Sequence, residues 1–114
     1  MAINSKEKGA RFERELAKRF REYGYDARRT AQYCGNTGEA ADVIGLPLIH
    51  VEAKHVERLN IYDAMSQAKH DAKGKDVIPA VFHKKNNHNI LVTVEFDDFM
   101  KIYREFEAGM KEDL

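Results

Sequence analysis

The sequence has 114 residues, 43% of them hydrophobic, which fits one domain with one core across residues 1–114. It contains 19 basic and 19 acidic residues, and its single cysteine, Cys34, excludes an internal disulfide and favours a reducing compartment. No apolar run approaches the roughly 20 residues that a membrane span needs, and the first residues lack the apolar segment of a signal peptide, so we expect a cytoplasmic protein without membrane contact.

The charges are unevenly distributed along the chain. Residues 1–94 carry a net charge of +4, and residues 95–114 carry −4. A total of zero argues against nucleic-acid binding, but the separation leaves a mildly basic body that phosphates could contact. Ordinary solvated surface charge explains the same pattern, so charge alone does not decide the function.

The first predicted element is a helix over residues 5–23. Asn4 or Ser5 can cap its start, and Gly24 supplies its C-terminal stop. Its apolar positions recur every three to four residues, at Phe12, Leu16, Phe20 and Tyr23.

Residues 25–30 form a short candidate strand, and residues 31–40 read as a loop because they contain two glycines and an asparagine. The stretch "DVIGLPLIHVEAK", from Asp42 to Lys54, predicts two strands around a turn centred on Pro47.

A second helix begins after the capping residue Asn60. Strands are predicted at residues 77–82 and 89–94, joined by the polar loop 83–88. The apolar stripe of the second helix consists of Ile61, Met65, Ala68 and Ala72.

A last helix is predicted to begin at Asp97 or Asp98 and to end at Gly109. Its inner face consists of Phe99, Tyr103 and Phe106. The resulting order, α-β-β-β-α-β-β-α, indicates an α/β fold with a single mixed sheet flanked by helices.

The strand that ends at Lys54 has an unusual polar face. Side chains alternate along a strand, so His50, Glu52 and Lys54 share the face opposite the apolar residues. With the predicted turn, Asp42 lies directly opposite Glu52, where Cβ atoms are about 4.5–5.5 Å apart. Two carboxylates so close repel each other, and a divalent cation is the simplest resolution. Oxygen ligands favour Mg²⁺ or Mn²⁺.

A metal site beside a lysine points to phosphodiester hydrolysis. Lys54 can orient the attacking water or neutralise charge that develops on the phosphorus. The alternative is a surface hairpin with an ion pair between its strands, because this spacing of Asp, Glu and Lys occurs in many unrelated proteins. A zinc site is not indicated, since the five histidines have no metal-ligand spacing.

The stretch "AADVIGLPLIHVEAK" resembles the signature of the PD-(D/E)XK nuclease superfamily. Its acidic residue matches Asp42, and its E-x-K matches Glu52, Ala53 and Lys54. Ala41 stands where the signature names a proline.

The first helix extends this resemblance. "KGARFERELAKRFREYGY" is similar to the opening helix of archaeal-type Holliday-junction resolvases and related phage proteins, with Gly9 followed by the run Glu13-Arg14-Glu15-Leu16. The similarity covers about residues 6–94. It implies the restriction-endonuclease-like fold and a homodimeric endonuclease that cuts four-way DNA junctions symmetrically in a bacterial or phage-infected cell, with Mg²⁺ or Mn²⁺ as cofactor.

The resemblance also implies roles for individual residues. These resolvases usually carry a functional serine on the loop before the motif aspartate, for which Thr30 or Thr37 would have to substitute here. The implied roles are metal ligation by Asp42, Glu52 and the carbonyl of Ala53, completion of the metal site by Glu13, catalysis by Lys54, and a glutamine beside the site at Gln67.

Phosphate contacts are predicted for cations near this site, although solvated surface charge is the alternative for each. They are Arg14, Arg28, Arg29, Lys84 and Lys85. Glu13 has no basic residue three or four positions away on its own helix, which favours a role in the site.

Three functions remain open from the sequence. The first is a metal-dependent, structure-selective endonuclease of the resolvase type. The second is a restriction- or repair-type nuclease on the same fold, and the third is a non-catalytic DNA-binding module. The complete set of Asp42, Glu52 and Lys54 argues against the third, because a binding module does not need all of them.

Overall fold

A computed structural model describes residues 4–30 and 41–112 of the chain. Its elements occur in the predicted order and are α1 Ser5–Glu22, β1 Arg28–Arg29, β2 Val43–Ile44, β3 Ile49–His55, α2 Ile61–Ala72, β4 Ile78–Lys84, β5 Leu91–Thr93 and α3 Phe96–Glu112. No helix in these ranges is long and apolar enough to cross a membrane.

The five strands form one mixed sheet in the order β1-β2-β3-β4-β5. Strands β1, β2 and β3 are antiparallel neighbours, β3 and β4 are parallel, and β5 returns antiparallel to β4. A parallel pair needs a crossover connection, and α2 supplies it between β3 and β4. The single mixed sheet with flanking helices confirms the predicted α/β class.

Helices α1 and α2 cover opposite faces of the sheet. Phe12 and Leu16 of α1 pack against Val51, whereas Ala68 of α2 packs against Val81. Side chains alternate between the two faces along a strand. Val51 points towards α1, so its neighbours His50 and Glu52 point towards α2. The sheet is thus buried on both sides, including the side that carries the polar residues of β3.

The caps of α1 and α2 follow the sequence prediction. The side chain of Asn4 accepts a hydrogen bond from the Glu7 amide at 2.8 Å, and that of Asn60 accepts from the Asp63 amide at 3.1 Å. Gly24 follows α1 with a φ of +97°, a conformation that suits a helix stop.

The turn between β2 and β3 sets the register of the hairpin. Val43 pairs with Val51, which is the register predicted for a turn centred on Pro47. Gly45 has a φ of +101°, and a Cβ there would collide with the backbone of Asp26 and Ala27. Only glycine therefore fits this corner.

The prediction for α3 was wrong in two respects. The helix continues past Gly109 to Glu112, and none of its residues is buried. The predicted inner face is open, with Phe99 49% and Phe106 61% exposed. The prediction assumed that an apolar stripe faces the core of its own chain, but the core is already closed by α1 and α2. Tyr23, predicted on the apolar stripe of α1, is likewise 80% exposed.

Candidate active site

The β2–β3 hairpin brings Asp42 beside Glu52. The amide of Asp42 donates to the Val51 carbonyl at 3.0 Å, and Asp42 Oδ2 accepts from the Ala53 amide at 2.8 Å. Together with the pairing of Val43 and Val51, these bonds place Asp42 opposite Glu52, as predicted from the sequence. The position of the Asp42 carboxylate is therefore fixed by backbone groups.

Glu52 is an acid in an unusually unfavourable place for a negative charge. It is only 3% exposed, and its carboxyl shares a hydrogen bond with Asp42. Burial first, and the charge of Asp42 second, raise the pKa of Glu52 to about 8, although Lys54 opposes the shift. A pair of carboxyl groups held in this way could hold a positive ion.

Lys54 and Gln67 lie next to this pair. Lys54 Nζ is 3.7 Å from Glu52 Oε2 and donates to Gln67 Oε1 at 3.2 Å. Gln67 is on α2, so the crossover helix orients the lysine. The structure therefore brings together Asp42, Glu52, Lys54 and Gln67 as the sequence predicted.

Glu13 reaches the edge of the site from α1, but it has its own partner. Arg29 Nε donates to Glu13 Oε1 at 2.7 Å, across two elements far apart in sequence. Burial raises the pKa of Glu13, Arg29 opposes this, and Asp42 adds to the increase. The charge of Asp42 therefore affects the pKa of Glu13, and an ion pair with Arg29 connects Glu13 to β1.

The protein matches the family model described as "Phage putative PDDEXK endonuclease" over residues 4–112. The chain belongs to this endonuclease family. The solved structure of Hjc from Archaeoglobus fulgidus, a Holliday junction resolvase from an archaeal hyperthermophile, is similar with a TM-score of 0.59 and 22% sequence identity, over 75% of this chain and 76% of that one. At this identity the likeness concerns the fold. No curated protein matches the sequence.

Two polar residues of the endonuclease join the site that were not predicted as part of it. His50 precedes Glu52 on the same strand face, and its Nε2 is 4.0 Å from Glu52 Oε1. Asp71 of α2 completes a group whose ligand atoms lie within 4.8 Å of one another. His50 was predicted only to share a strand face with Glu52, and Asp71 was not among the predicted site residues. The spacing of four residues from Gln67 is the signal that places Asp71 on the same helix face.

The predicted phosphate-binding cations of the endonuclease fall into two groups. Arg29 pairs with Glu13, and Lys84 pairs with Glu15 at 3.4 Å. Arg14, Arg28 and Lys85 are exposed and form no ion pair within residues 4–30 and 41–112. The exposed group is the better placed to bind phosphates.

The functional hydroxyl was predicted at Thr30 or Thr37. Thr37 lies in residues 31–40, outside the described residues. Thr30 Oγ1 donates to the Ala41 carbonyl at 2.5 Å, and its amide donates to the Asp42 carbonyl at 3.1 Å. Thr30 is therefore bonded to both Ala41 and Asp42, which fixes the backbone at Asp42.

Proposed function

We propose that the chain is a divalent-metal-dependent endodeoxyribonuclease that hydrolyses phosphodiester bonds in branched DNA, with four-way junctions as the preferred substrate. The observation that carries this proposal is the buried pair Asp42 and Glu52 with Lys54 3.7 Å away. The resolvase named among the similar structures supports the choice of substrate, and family membership supports the reaction.

The donor set fits a hard divalent cation. Asp42 and Glu52 supply carboxylate oxygens, and burial together with the charge of Asp42 raises the pKa of Glu52, so a cation between the two groups would be favoured. Mg²⁺ and Mn²⁺ bind through one or two carboxylates, and the backbone carbonyl of Ala53 is a third proposed ligand. When bound, such an ion would lower the pKa of a water and stabilise negative charge on the phosphoryl group.

Lys54 is the proposed catalytic cation. Its ammonium is held between Glu52 and Gln67, so it enters the reaction already oriented and needs little rearrangement. In that position it neutralises charge that develops on the phosphorus or orients the attacking water. Gln67 positions Lys54 because its Oε1 accepts a hydrogen bond from the Lys54 ammonium.

Glu13 is proposed to complete the acidic site on the side of Asp42. Its hydrogen bond to Arg29 orients its carboxylate and leaves the second oxygen, Oε2, outside that contact. The same bond places the guanidinium of Arg29 at the edge of the site, where it would meet a phosphate.

A dimer is the proposed assembly, and α3 offers a surface for it. Large apolar side chains alternate at spacings of three and four residues, the pattern of a seam between two packed helices. At about 150–250 Å² per aromatic side chain, their open area amounts to several hundred Å² per copy, which approaches the roughly 800 Å² per partner of a stable interface. The seam residues are Phe96, Phe99, Tyr103, Phe106 and Met110.

We infer that a second copy of the chain packs its α3 on this seam around a two-fold axis. Sedimentation velocity at micromolar concentration should show a dimer for the wild type and a monomer for the double variant Tyr103→Ser, Phe106→Ser. Tyr23→Ser is the matched control, since Tyr23 is 80% exposed at the end of α1 and should leave the dimer intact. A wild-type monomer, with and without junction DNA, would refute the dimer.

The substrate test compares four DNAs at equal concentration with Mg²⁺: a four-way junction, a fork, a duplex and a single strand. The resolvase proposal predicts cleavage of the junction first, and no cleavage of any substrate in excess EDTA. Preference for plain duplex would instead support a restriction- or repair-type nuclease, and binding without cleavage would support a DNA-binding module.

Two variants test the residues. Glu52→Gln keeps the size of the side chain but removes its charge, so cleavage should fall at least about 100-fold, equivalent to roughly 2.7 kcal/mol, while junction binding survives. Lys54→Ala should also lose cleavage and bind more weakly, because it removes a cation. A folded Glu52→Gln variant that cuts at the wild-type rate would remove this site from the mechanism.

A further inference from the structure

We propose that His50, Glu52 and Asp71 form a second cation site, selective for divalent first-row transition metals such as Mn²⁺ over Mg²⁺. The site shares Glu52 with the proposed nuclease centre and lies on its α2 side. The inference rests on the proposed function only through that shared carboxylate, so its test measures metal ligation and not cleavage.

The geometry suits three side chains that share one ion. His50 Nε2 and Glu52 Oε1 are 4.0 Å apart, which is too long for a hydrogen bond. Two metal–ligand bonds of about 2.1 Å laid end to end span about this distance. Asp71 adds a third atom within the same 4.8 Å. One ion can therefore contact all three side chains with small movements.

His50 provides an independent observation. Its Nε2 is buried and has no hydrogen-bond partner among the described residues, while the residue is only 4% exposed. A buried polar atom without a partner is rare in native proteins, and it calls for a ligand, a water or an ion. With the proton of the neutral ring on Nδ1, the lone pair of Nε2 and the oxygen of Glu52 4.0 Å away would both attract a positive ion.

The two oxygens of Glu52 allow both sites to coexist. Oε2 is the oxygen near Lys54, and Oε1 is the oxygen near His50. A carboxylate can use one oxygen on each side, so the shared residue does not force a choice between them. Glu52 would then link the cation that serves hydrolysis to the cation bound on the α2 side.

The nitrogen ligand decides the selectivity. Mg²⁺ prefers oxygen ligands in an octahedral shell and gives up its waters reluctantly. Imidazole nitrogen suits transition metals, whose affinities for mixed nitrogen and oxygen sites rise from Mn²⁺ towards Cu²⁺. A site of one imidazole and two carboxylates should therefore bind Mn²⁺ more tightly than Mg²⁺.

Pulsed electron paramagnetic resonance on the tag-free full chain with one equivalent of Mn²⁺ tests this site. A directly bound imidazole gives a ¹⁴N coupling, which is expected in the wild type and absent in His50→Gln. His70→Gln is the control, because His70 is exposed on α2 next to Asp71 and should keep the coupling. Absence of the coupling in the wild type, or its persistence in His50→Gln, would overturn the proposal.

A second variant guards against a folding defect in His50→Gln. Asp71→Asn alters a half-buried residue of α2 and should weaken Mn²⁺ binding about 10-fold or more by calorimetry, with Asp76→Asn as the exposed control. Equal Mn²⁺ affinity in Asp71→Asn and wild type would overturn the inference. A nitrogen coupling without cleavage of any DNA would support this metal site and refute the proposed nuclease. Cleavage without a nitrogen coupling would support the nuclease and refute this metal site.

Discussion

At the residue scale, Glu52 connects the stability of the protein to its chemistry. The carboxyl is buried beside Asp42 and is protonated more readily than an ordinary glutamate. At neutral pH the folded chain without metal therefore holds a proton on Glu52, and the proposed cation would displace it.

This proton predicts how stability changes with pH. The folded-state pKa of Glu52 is raised from 4.5 to about 8, so its contribution to stability is complete below pH 4.5 and lost as the pH rises through 8. Metal-free wild type should have a lower free energy of unfolding at pH 9 than at pH 7. Denaturant titrations at both pH values check this.

Glu52→Gln is the control for this prediction. Because glutamine does not ionise, the free energy of unfolding of this variant should change little between pH 7 and pH 9. His50, His55 and His83 do not affect the comparison, since desolvation lowers the pKa of each and keeps it neutral above pH 7. The same decrease in wild type and variant would contradict the assignment to Glu52.

The pair between Arg29 and Glu13 is the second prediction at this scale. Glu13 is only 8% exposed, so breaking its bond to Arg29 leaves a poorly solvated carboxylate. A double-mutant cycle with Glu13→Gln and Arg29→Met should give a coupling of about 1–3 kcal/mol. Equilibrium unfolding in denaturant measures it.

The matched control is the pair between Asp98 and Lys101 on α3, at 3.6 Å with Lys101 exposed. Its coupling should be below about 0.5 kcal/mol, because water screens exposed pairs. Equal couplings for the two pairs would show that burial does not strengthen the contact at Glu13.

At the element scale, the turn between β2 and β3 determines which residues of the two strands are paired, and so places Asp42 opposite Glu52. A shift of one residue in the pairing of β2 with β3 would place the side chains of Asp42 and Glu52 on opposite faces of the sheet. The backbone at Gly45, with its positive φ and its close approach to Asp26, limits the turn to one geometry.

Glycine replacements test this constraint. Gly45→Ala should lower the free energy of unfolding by about 2 kcal/mol or more, because alanine is strained at this φ and collides with backbone. Gly9→Ala is the control: it lies within α1 with nothing within 4 Å of a new Cβ, so it should stabilise by about 0.5–1 kcal/mol. Thermal or denaturant unfolding measures both, and a neutral Gly45→Ala would show that the turn tolerates a side chain.

At the scale of the whole molecule, the charge is divided between a basic body and an acidic α3. Residues 1–94 carry +4 although the total is zero. DNA binding, as proposed, would use the basic body, where Arg28 and Lys85 are exposed.

Junction affinity should therefore fall steeply with salt, because each neutralised phosphate releases counterions. Arg28→Ala and Lys85→Ala should each reduce the slope of log affinity against log salt by about one. Lys101→Ala, which removes an exposed cation from acidic α3, should leave the slope unchanged. Fluorescence anisotropy with the Glu52→Gln variant measures binding without cleavage, and a salt-independent affinity would contradict phosphate contacts.

The sequence by itself determined what depends on local patterns. Periodicity and caps predicted the order of the eight elements in residues 4–30 and 41–112, and the two-residue alternation of β3 with a turn at Pro47 placed Asp42 opposite Glu52. These features follow from short-range geometry, so a single sequence is sufficient to find them.

Only the tertiary structure decided what depends on packing between distant elements. It buried both faces of the sheet, and this made Glu52 and His50 inaccessible and brought Asp71 to them. It paired Glu13 with Arg29 and left the apolar seam of α3 open. Hydrophobic periodicity shows that a face is apolar, but it does not say whether the partner is the same chain or another one.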